Sequence, residues 1–254
     1  MPQKKGRAMP ISHTTNLPVS LPPFKTALQE LIWPTRCLGC DAPGELLCPA
    51  CKEKLAFINQ ADACPICGAP WGKLVCTECL HQWTHYKAIC AVDFQSISAR
   101  IVRGFKDGHE LRLSSIIAAT MHQALLRAQA QGLAPPDFIQ EIDAIAFVPA
   151  TSQAYMQRGY DHMERVAQDL AQLLHVPLGD VLIRLAKTDQ RDLSKAERES
   201  NEGVCVEVAG NIEGATILLI DDVMTTGSTL RLCSEKLYGA GAQFVVCCAF
   251  ARVW

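Results

Sequence analysis

The amino-acid sequence predicts an α/β fold, in which a mainly parallel sheet is flanked by helices and a small cysteine-rich unit comes before it. Short apolar segments alternate with amphipathic ones from about residue 86 onwards, which is the pattern of parallel strands joined by helices. Eight of the 13 cysteines lie between residues 37 and 79, where large apolar residues are few. Such a segment cannot build a conventional core, so we expect metal ions to hold it together.

The predicted elements follow in a simple order. Residues 1–23 contain five prolines and no periodicity, so we expect a disordered leader, followed by a short helix over 24–34. Beyond the cysteines, the pattern predicts strands at 86–94, 143–150, 181–186, 204–209, 215–222 and 243–253, and helices at 96–106, 111–132, within 152–175 and at 228–242. The polar run 187–200 interrupts the pattern and predicts a long loop.

The composition excludes several classes of protein. A formal net charge of −2 lacks the bulk positive charge of a typical nucleic-acid-binding protein, although it allows a local basic groove. No apolar run approaches the roughly 18 residues of a membrane span, and the N-terminus has no apolar signal region. We therefore expect a cytoplasmic protein without membrane insertion, whose cysteines are reduced rather than joined in disulfides.

The cysteines between residues 37 and 79 form four pairs, and two residues separate the members of each pair. This spacing lets both sulfurs of a pair bind one metal, and two pairs complete a tetrahedral zinc site. The loops inside the two sets have seven and eight residues, so sequential pairing is simplest; cross-braced pairing and an iron–sulfur cluster are the alternatives. Because closed four-thiolate sites have no position for a substrate, we expect two structural zinc ions. The predicted ligands are Cys37, Cys40, Cys48 and Cys51 for one ion and Cys64, Cys67, Cys76 and Cys79 for the other.

The most informative segment joins a buried strand to a helix near the C-terminus. Apolar residues 217–220 are followed by the adjacent acids Asp221 and Asp222, and the next loop opens a helix. Ligands of open α/β sheets bind at the carboxyl ends of strands. Small hydroxylated residues, a glycine and the N–H groups of a helix N-terminus make a cradle for a phosphate. Acids beside such a cradle indicate a sugar phosphate, whose hydroxyls they would bind. The phosphate-binding candidates are Thr225, Thr226, Gly227, Ser228 and Thr229.

The segment DDVMTTGST resembles the motif with which type I phosphoribosyltransferases bind phosphoribosyl pyrophosphate (PRPP). Cysteine pairs followed by such a domain resemble the ComF family, which is named for competence, the uptake of transforming DNA. The resemblance extends to the segments FVPATSQAYMQRGYDHMERVAQDLA and SARIVRGFKDGHEL and to spaced residues from Arg184 to Asn201. Asp161 and His162 stand where the family usually has Asn and Gln.

The resemblance implies a type I phosphoribosyltransferase domain over 88–254, after a double zinc ribbon over 37–85 and a leader with a short helix over 1–36. It implies that PRPP binds with Mg²⁺, that Asp221 and Asp222 are the catalytic pair on the ribose hydroxyls, and that the loop holds the 5′-phosphate. We expect Asp222 to face solvent at the end of its strand, and we expect Cys64→Ser to unfold the ribbon locally and leave this pocket intact. The further cations implied for PRPP are Lys106, Arg158 and, in the loop 187–200 that would close over it, Lys187.

A role in natural competence is implied as well, with single-stranded DNA and DNA-translocation proteins as partners. Arg100, Arg103 and Lys106 recur at helical spacing and, with the run 187–198, predict a DNA-binding surface; an ordinary solvated helix face is the alternative. Three functions stay open from the sequence: a salvage-type phosphoribosyltransferase with an unknown acceptor, a DNA-uptake factor, and a catalytically inactive zinc protein that is a scaffold for nucleic acid or protein.

Overall fold

The computed structural model describes residues 34–70, 74–76, 79, 87–132, 137–184 and 206–253. The leader, the helix predicted over 24–34 (apart from Pro34) and the run 187–200 lie outside these residues. The helices are α1 (Pro49–Glu53), α2 (Ser96–Lys106), α3 (Leu113–Ala130), α4 (Ser152–Arg158), α5 (His162–Leu174) and α6 (Ser228–Gly239). The strands are β1 (Lys87–Asp93), β2 (Ala144–Phe147), β3 (Leu182–Arg184), β4 (Val206–Val208), β5 (Thr216–Met224) and β6 (Phe244–Arg252).

Four of the strands form a parallel sheet in the order β1-β6-β5-β2. The central strands β5 and β6 are largely apolar, because strands covered on both faces have no solvent-facing side. They pair in register from Thr216 opposite Phe244 to Met224 opposite Arg252. The carboxyl ends of all four strands therefore meet at one end of the sheet, where α/β proteins bind ligands. This architecture confirms the predicted α/β fold.

Helices cover both faces of this sheet. α2, α3 and α5 pack on one face, where Phe105, Met121 and Met163 are fully buried. α6 and the β3–β4 pair lie on the other face, around Leu230 and Leu237. None of the described helices is long and apolar enough to cross a membrane.

The structure departs from simple alternation in two places. β3 and β4 pair antiparallel with each other and, among the described strands, stand apart from the parallel sheet. The stretch 152–175 holds two helices rather than one, because Gly159 takes a left-handed φ of 79° where α4 ends. Asp161 then caps α5 by accepting a hydrogen bond from the Met163 N–H group. This turn sets His162 at the start of α5, facing the sheet.

The cysteine-rich unit covers the outer edge of β1. The Ile58 N–H group donates to the Ala91 carbonyl, the Ala88 N–H group donates to Ile66, and the buried Gln60 amide donates to the Cys90 carbonyl at 2.8 Å. Because an exposed strand edge invites unwanted pairing, this cover protects the sheet. The first half of the unit packs into the core under α2 and α3, and the second half packs into the core of the opposite face.

Candidate functional site

Each predicted set of four cysteines forms one compact cluster, in which the four sulfur atoms lie within 4.8 Å of one another. The cysteines are thus grouped sequentially rather than cross-braced. Backbone N–H groups of Gly39 and Cys48 point at Cys37 Sγ from 3.4 and 3.3 Å. Burial opposes ionisation of Cys37, but the backbone hydrogen bonds outweigh it and lower the pKa of its thiol to about 6. Clustered sulfurs that accept N–H bonds fit structural zinc, which would hold each set of four together.

The two acids of the predicted PRPP motif lie inside β5 and point to opposite faces of the sheet, because side chains alternate along a strand. Asp222 points under α2 and α5 and is 4% exposed. Its Oδ2 atom lies 2.6 Å from Lys106 Nζ and 2.6 Å from His162 Nε2. Burial alone would raise the pKa of Asp222, but the hydrogen bond from His162 and the charge of Lys106 outweigh it and hold that pKa below its usual range.

The expectation that Asp222 faces solvent is therefore wrong. The sequence suggests a strand that ends at the two acids, whereas β5 continues to Met224. Asp222 is consequently an interior residue of the strand, and the helices α2 and α5 lie across it. Its charge is compensated inside the protein, which is the condition for burying a carboxylate.

His162 joins Asp222 to Arg158. Arg158 Nη1 lies 3.2 Å from His162 Nδ1. A guanidinium can only donate, so Nδ1 accepts, and the ring proton belongs on Nε2, where it is donated to Asp222. The His162 ring also meets Phe105 edge to face, with 5.9 Å between the ring centroids. Arg158, His162, Asp222 and Lys106 thus form one connected network, which we call the Asp222 network.

Asp221 lies on the opposite face and keeps partial exposure. Burial, and then the negative charge of Asp222, raise the pKa of Asp221. Arg184 of β3 is within electrostatic reach of Asp221, and its Nη1 atom donates to the Pro149 carbonyl at 2.9 Å. Three segments that are distant in the sequence therefore meet at the carboxyl end of the sheet: the end of β2, the end of β3 and the acids of β5.

The loop from β5 to α6 has the geometry of an anion cradle. Thr225, Thr226 and Ser228 are exposed, and Gly227 has a φ of 76° immediately before α6. Residues with a Cβ atom rarely adopt that φ, so the turn requires glycine. The Thr226 and Ser228 hydroxyls are 3.0 Å apart. The N–H groups of the first turn of α6 and its partial positive charge lie at this loop, with the half-buried Thr229 just inside the helix. The Ser228 N–H group already donates to Thr226 Oγ1 at 3.4 Å, as it would to a phosphate oxygen.

Comparison with known proteins agrees with both parts of this geometry. Residues 28–80 match the double zinc ribbon domain family, and residues 164–253 match the phosphoribosyl transferase domain family. The chain is a double zinc ribbon joined to a phosphoribosyl transferase domain. The resemblance to the ComF family is confirmed, because a relative named ComFC and several named DNA utilization protein YhgH each match 84% of this chain.

Two relatives and one solved structure illustrate the similarity. The DNA utilization protein YhgH of Salmonella typhi is 27% identical over 222 residues, which are 84% of this chain and 94% of that protein. The competence protein ComFC of Bacillus subtilis (strain 168) is 26% identical over 224 residues, which are 84% of this chain and 85% of that protein. Phosphoribosylpyrophosphate synthetase from Mycobacterium smegmatis aligns with a TM-score of 0.31 and 22% identity, over 50% of this chain and 33% of that chain.

The phosphoribosyl transferase domain brings together some of the predicted site residues. Lys106 and Arg158 both belong to the Asp222 network, whereas Lys187 lies outside the described residues. Sequence reasoning missed two buried polar residues, His162 and Arg252. The replacement of the family's usual Gln by His162 was one signal, and an arginine inside the apolar strand FVVCCAFARV was the other.

Proposed function

We propose that this protein binds PRPP with Mg²⁺ at the β5–α6 loop and uses this site in the handling of DNA during competence. The observation that carries the proposal is the glycine cradle at Gly227, which directly follows a strand bearing Asp221 and Asp222. Relatives named for DNA utilization and for competence cover most of the chain, which supports a DNA-related role.

The two acids have different roles in this proposal. Asp221 is partly exposed, so its carboxyl oxygens are available to accept hydrogen bonds from the vicinal ribose hydroxyls. Asp222 is committed to Lys106 and His162, so it positions the network instead of meeting the ribose. The loop 225–229 receives the 5′-phosphate through its N–H groups and hydroxyls. The Lys106 side chain keeps 28% exposure, which leaves part of its charge available to the diphosphate.

Transfer of ribose 5-phosphate would break the bond between C1 and the pyrophosphate oxygen and form a bond from C1 to an acceptor. Mg²⁺, when bound, would offset the negative charge of the departing pyrophosphate. The residues of the chain would hold the phosphate and ribose in place while C1 stays open to the acceptor. We propose that Lys187 and the other residues of the run 187–200 also contact PRPP, in addition to the β5–α6 loop and Asp221.

One observation favours a second function, PRPP binding without transfer. Asp222, one of the motif's two acids, is buried and bound to Lys106 and His162. A site that offers the ribose only Asp221 would bind more weakly than one that offers both acids. Such a site would suit a protein whose response to PRPP is structural, as in a scaffold for DNA or for translocation proteins.

We further propose that single-stranded DNA contacts the exposed face of α2 in the cytoplasm. Arg103 is exposed. Arg100 donates to the Leu38 and Gly39 carbonyls, at 3.1 and 2.9 Å, and Lys106 pairs with Asp222. Two of the three predicted cations are therefore engaged within the protein, so we expect weak binding that depends strongly on salt.

Calorimetry of the zinc-loaded protein with PRPP and Mg²⁺ tests the binding site. Gly227→Val should abolish binding, because the side chain strains the turn and fills the cradle. Gly214→Val is the matched control, since Gly214 has a similar φ of 73° with open space around it and lies in a turn away from the loop. Equal binding by both variants, or none by the wild type, would refute the proposal.

A second assay separates transfer from binding. Pyrophosphate release from PRPP is measured with and without single-stranded DNA. Release that requires an acceptor or DNA supports the enzyme. Binding in the calorimeter without release supports the structural response.

A further inference from the structure

Arg252, the last residue of β6, is 2% exposed and reaches from the second cysteine cluster to the phosphate loop. Its Nε atom donates to the Cys67 carbonyl at 3.3 Å, and its Nη2 atom lies 3.7 Å from Cys67 Sγ. On the loop side, Nη1 donates to the Met224 carbonyl at 3.3 Å and to the Thr225 carbonyl. One side chain therefore touches a predicted zinc ligand and the first residue of the loop.

We propose that Arg252 couples the second zinc site to the phosphate loop, so that metal bound by the second cluster positions the loop for phosphate. The proposal rests on the proposed PRPP site and adds a positioning residue and a metal dependence to it. It replaces the expectation, drawn from the sequence, that loss of a ligand of the second cluster leaves the pocket intact. Its physical basis is the charge of a guanidinium, which stays protonated in proteins and is costly to bury without compensation.

The second cluster contributes to that compensation when it holds zinc. Four thiolates and one divalent cation carry a net charge of about −2, and the guanidinium lies against one of those sulfurs. An N–H group that donates to a metal-bound thiolate also orients that ligand. The remaining donors of Arg252 then fix the two carbonyls where the loop leaves β5. Without the metal, the Cys67 sulfur is no longer held against Arg252, and the guanidinium loses one of its fixed anchors.

The junction around Arg252 is tightly packed. Cys90 Sγ lies 3.7 Å from the Cys67 carbonyl oxygen and 3.8 Å from Met224 Sδ. A Cβ atom on Gly68 would come within 2.9 Å of Cys90 Sγ and 3.0 Å of the Ala88 carbonyl oxygen. A shift of Cys67 would therefore be transmitted to Met224 and the loop rather than absorbed by empty space.

The first cluster is an internal control. Cys37, Cys48 and Cys51 pack with α2 on the other face of the sheet. Arg100 of α2 donates to the carbonyl of Gly39, between Cys37 and Cys40. Cys51 of the first cluster and Cys67 of the second are equally buried, at 3% exposure. Cys51→Ser and Cys67→Ser therefore remove one buried ligand each, but only Cys67 touches Arg252.

The test is hydrogen exchange of the zinc-loaded protein, followed by mass spectrometry of the peptide that contains 225–229. Cys67→Ser should speed exchange in the loop, whereas Cys51→Ser should leave it at the wild-type rate. Arg252→Met keeps all eight ligands, so it covers the case in which a ligand variant fails to fold. We expect Arg252→Met to weaken zinc binding at the second site by about 10- to 100-fold, the usual effect of losing such a supporting contact. Chelator competition in the Cys51→Ser background measures the affinity of the second site by itself. The loop 225–229 of Arg252→Met should also exchange faster than that of the wild type.

Two results would overturn the proposal: equal effects of Cys51→Ser and Cys67→Ser on the loop, or unchanged zinc affinity and loop exchange in Arg252→Met. Neither readout requires PRPP. If the wild type fails to bind PRPP while the coupling is observed, the proposed function fails and the coupling stands. If PRPP binds while loop exchange ignores the second zinc, the coupling alone fails.

Discussion

Replacing Asp222 with asparagine would remove a buried negative charge and leave two cationic or donor groups facing a neutral amide. Lys106 Nζ and His162 Nε2 both lie 2.6 Å from the same carboxylate oxygen. Breaking a buried ion pair by removing one partner costs about 3–5 kcal/mol. Lys106 keeps a path to water and asparagine keeps the shape, so we expect about 2–4 kcal/mol to be lost from the free energy of unfolding.

Urea denaturation of the zinc-loaded protein at neutral pH measures this loss. The matched control is Asp221→Asn, at the adjacent position on the opposite face. The pKa of Asp221 is raised, by burial first and by the charge of Asp222 second, so the folded protein already favours its neutral form. Asp221→Asn should therefore leave stability unchanged or increase it. If Asp222→Asn is as stable as the wild type, or if both variants lose stability equally, the reasoning about the Asp222 network is refuted.

Four further outcomes are expected. The lowered pKa of Asp222 means that its contribution to stability is present above the usual carboxyl pKa and is lost as the pH falls. Asp222→Asn should therefore lose less stability than the wild type between about pH 5 and 2. Parallel curves of unfolding free energy against pH for the two proteins would contradict this. The raised pKa of Asp221 has the opposite sign, so Asp221→Asn should reduce the loss of stability as the pH rises towards neutrality. Metal analysis should find two zinc ions per chain, and one ion or iron absorbance would count against the cluster assignment. Arg103→Glu should weaken single-strand binding in a filter assay and lower the slope of log affinity against log salt concentration by about one. Binding that does not depend on salt would contradict the proposed DNA contact.

The sequence predicted those features that depend on local pattern. The spacing of Ile97, Ile101 and Phe105 predicted a helix in the segment that forms α2 (Ser96–Lys106). The two cysteine clusters followed from paired spacing, because ligands close in sequence must converge on one metal. The domain boundaries at 37–85 and 88–254 stay predictions, as do the roles of the individual site residues.

The features that the sequence did not predict depend on contacts between distant elements. Asp222 is buried because α2 and α5 cross β5, and no pattern within 217–222 records that crossing. Arg252 and Cys67 are 185 positions apart, so their contact is a product of the fold. The antiparallel pairing of β3 with β4 was hidden because short strands of three residues carry too little periodicity to indicate a partner.

A crystal structure of the zinc-loaded protein with PRPP and Mg²⁺ tests the central claim most directly. The account predicts that the 5′-phosphate lies at the N–H groups of Gly227 to Thr229, that the ribose hydroxyls meet Asp221, and that Asp222 stays bound to Lys106 and His162. PRPP held elsewhere on the protein, or a β5–α6 loop without phosphate at concentrations where calorimetry shows binding, would contradict it.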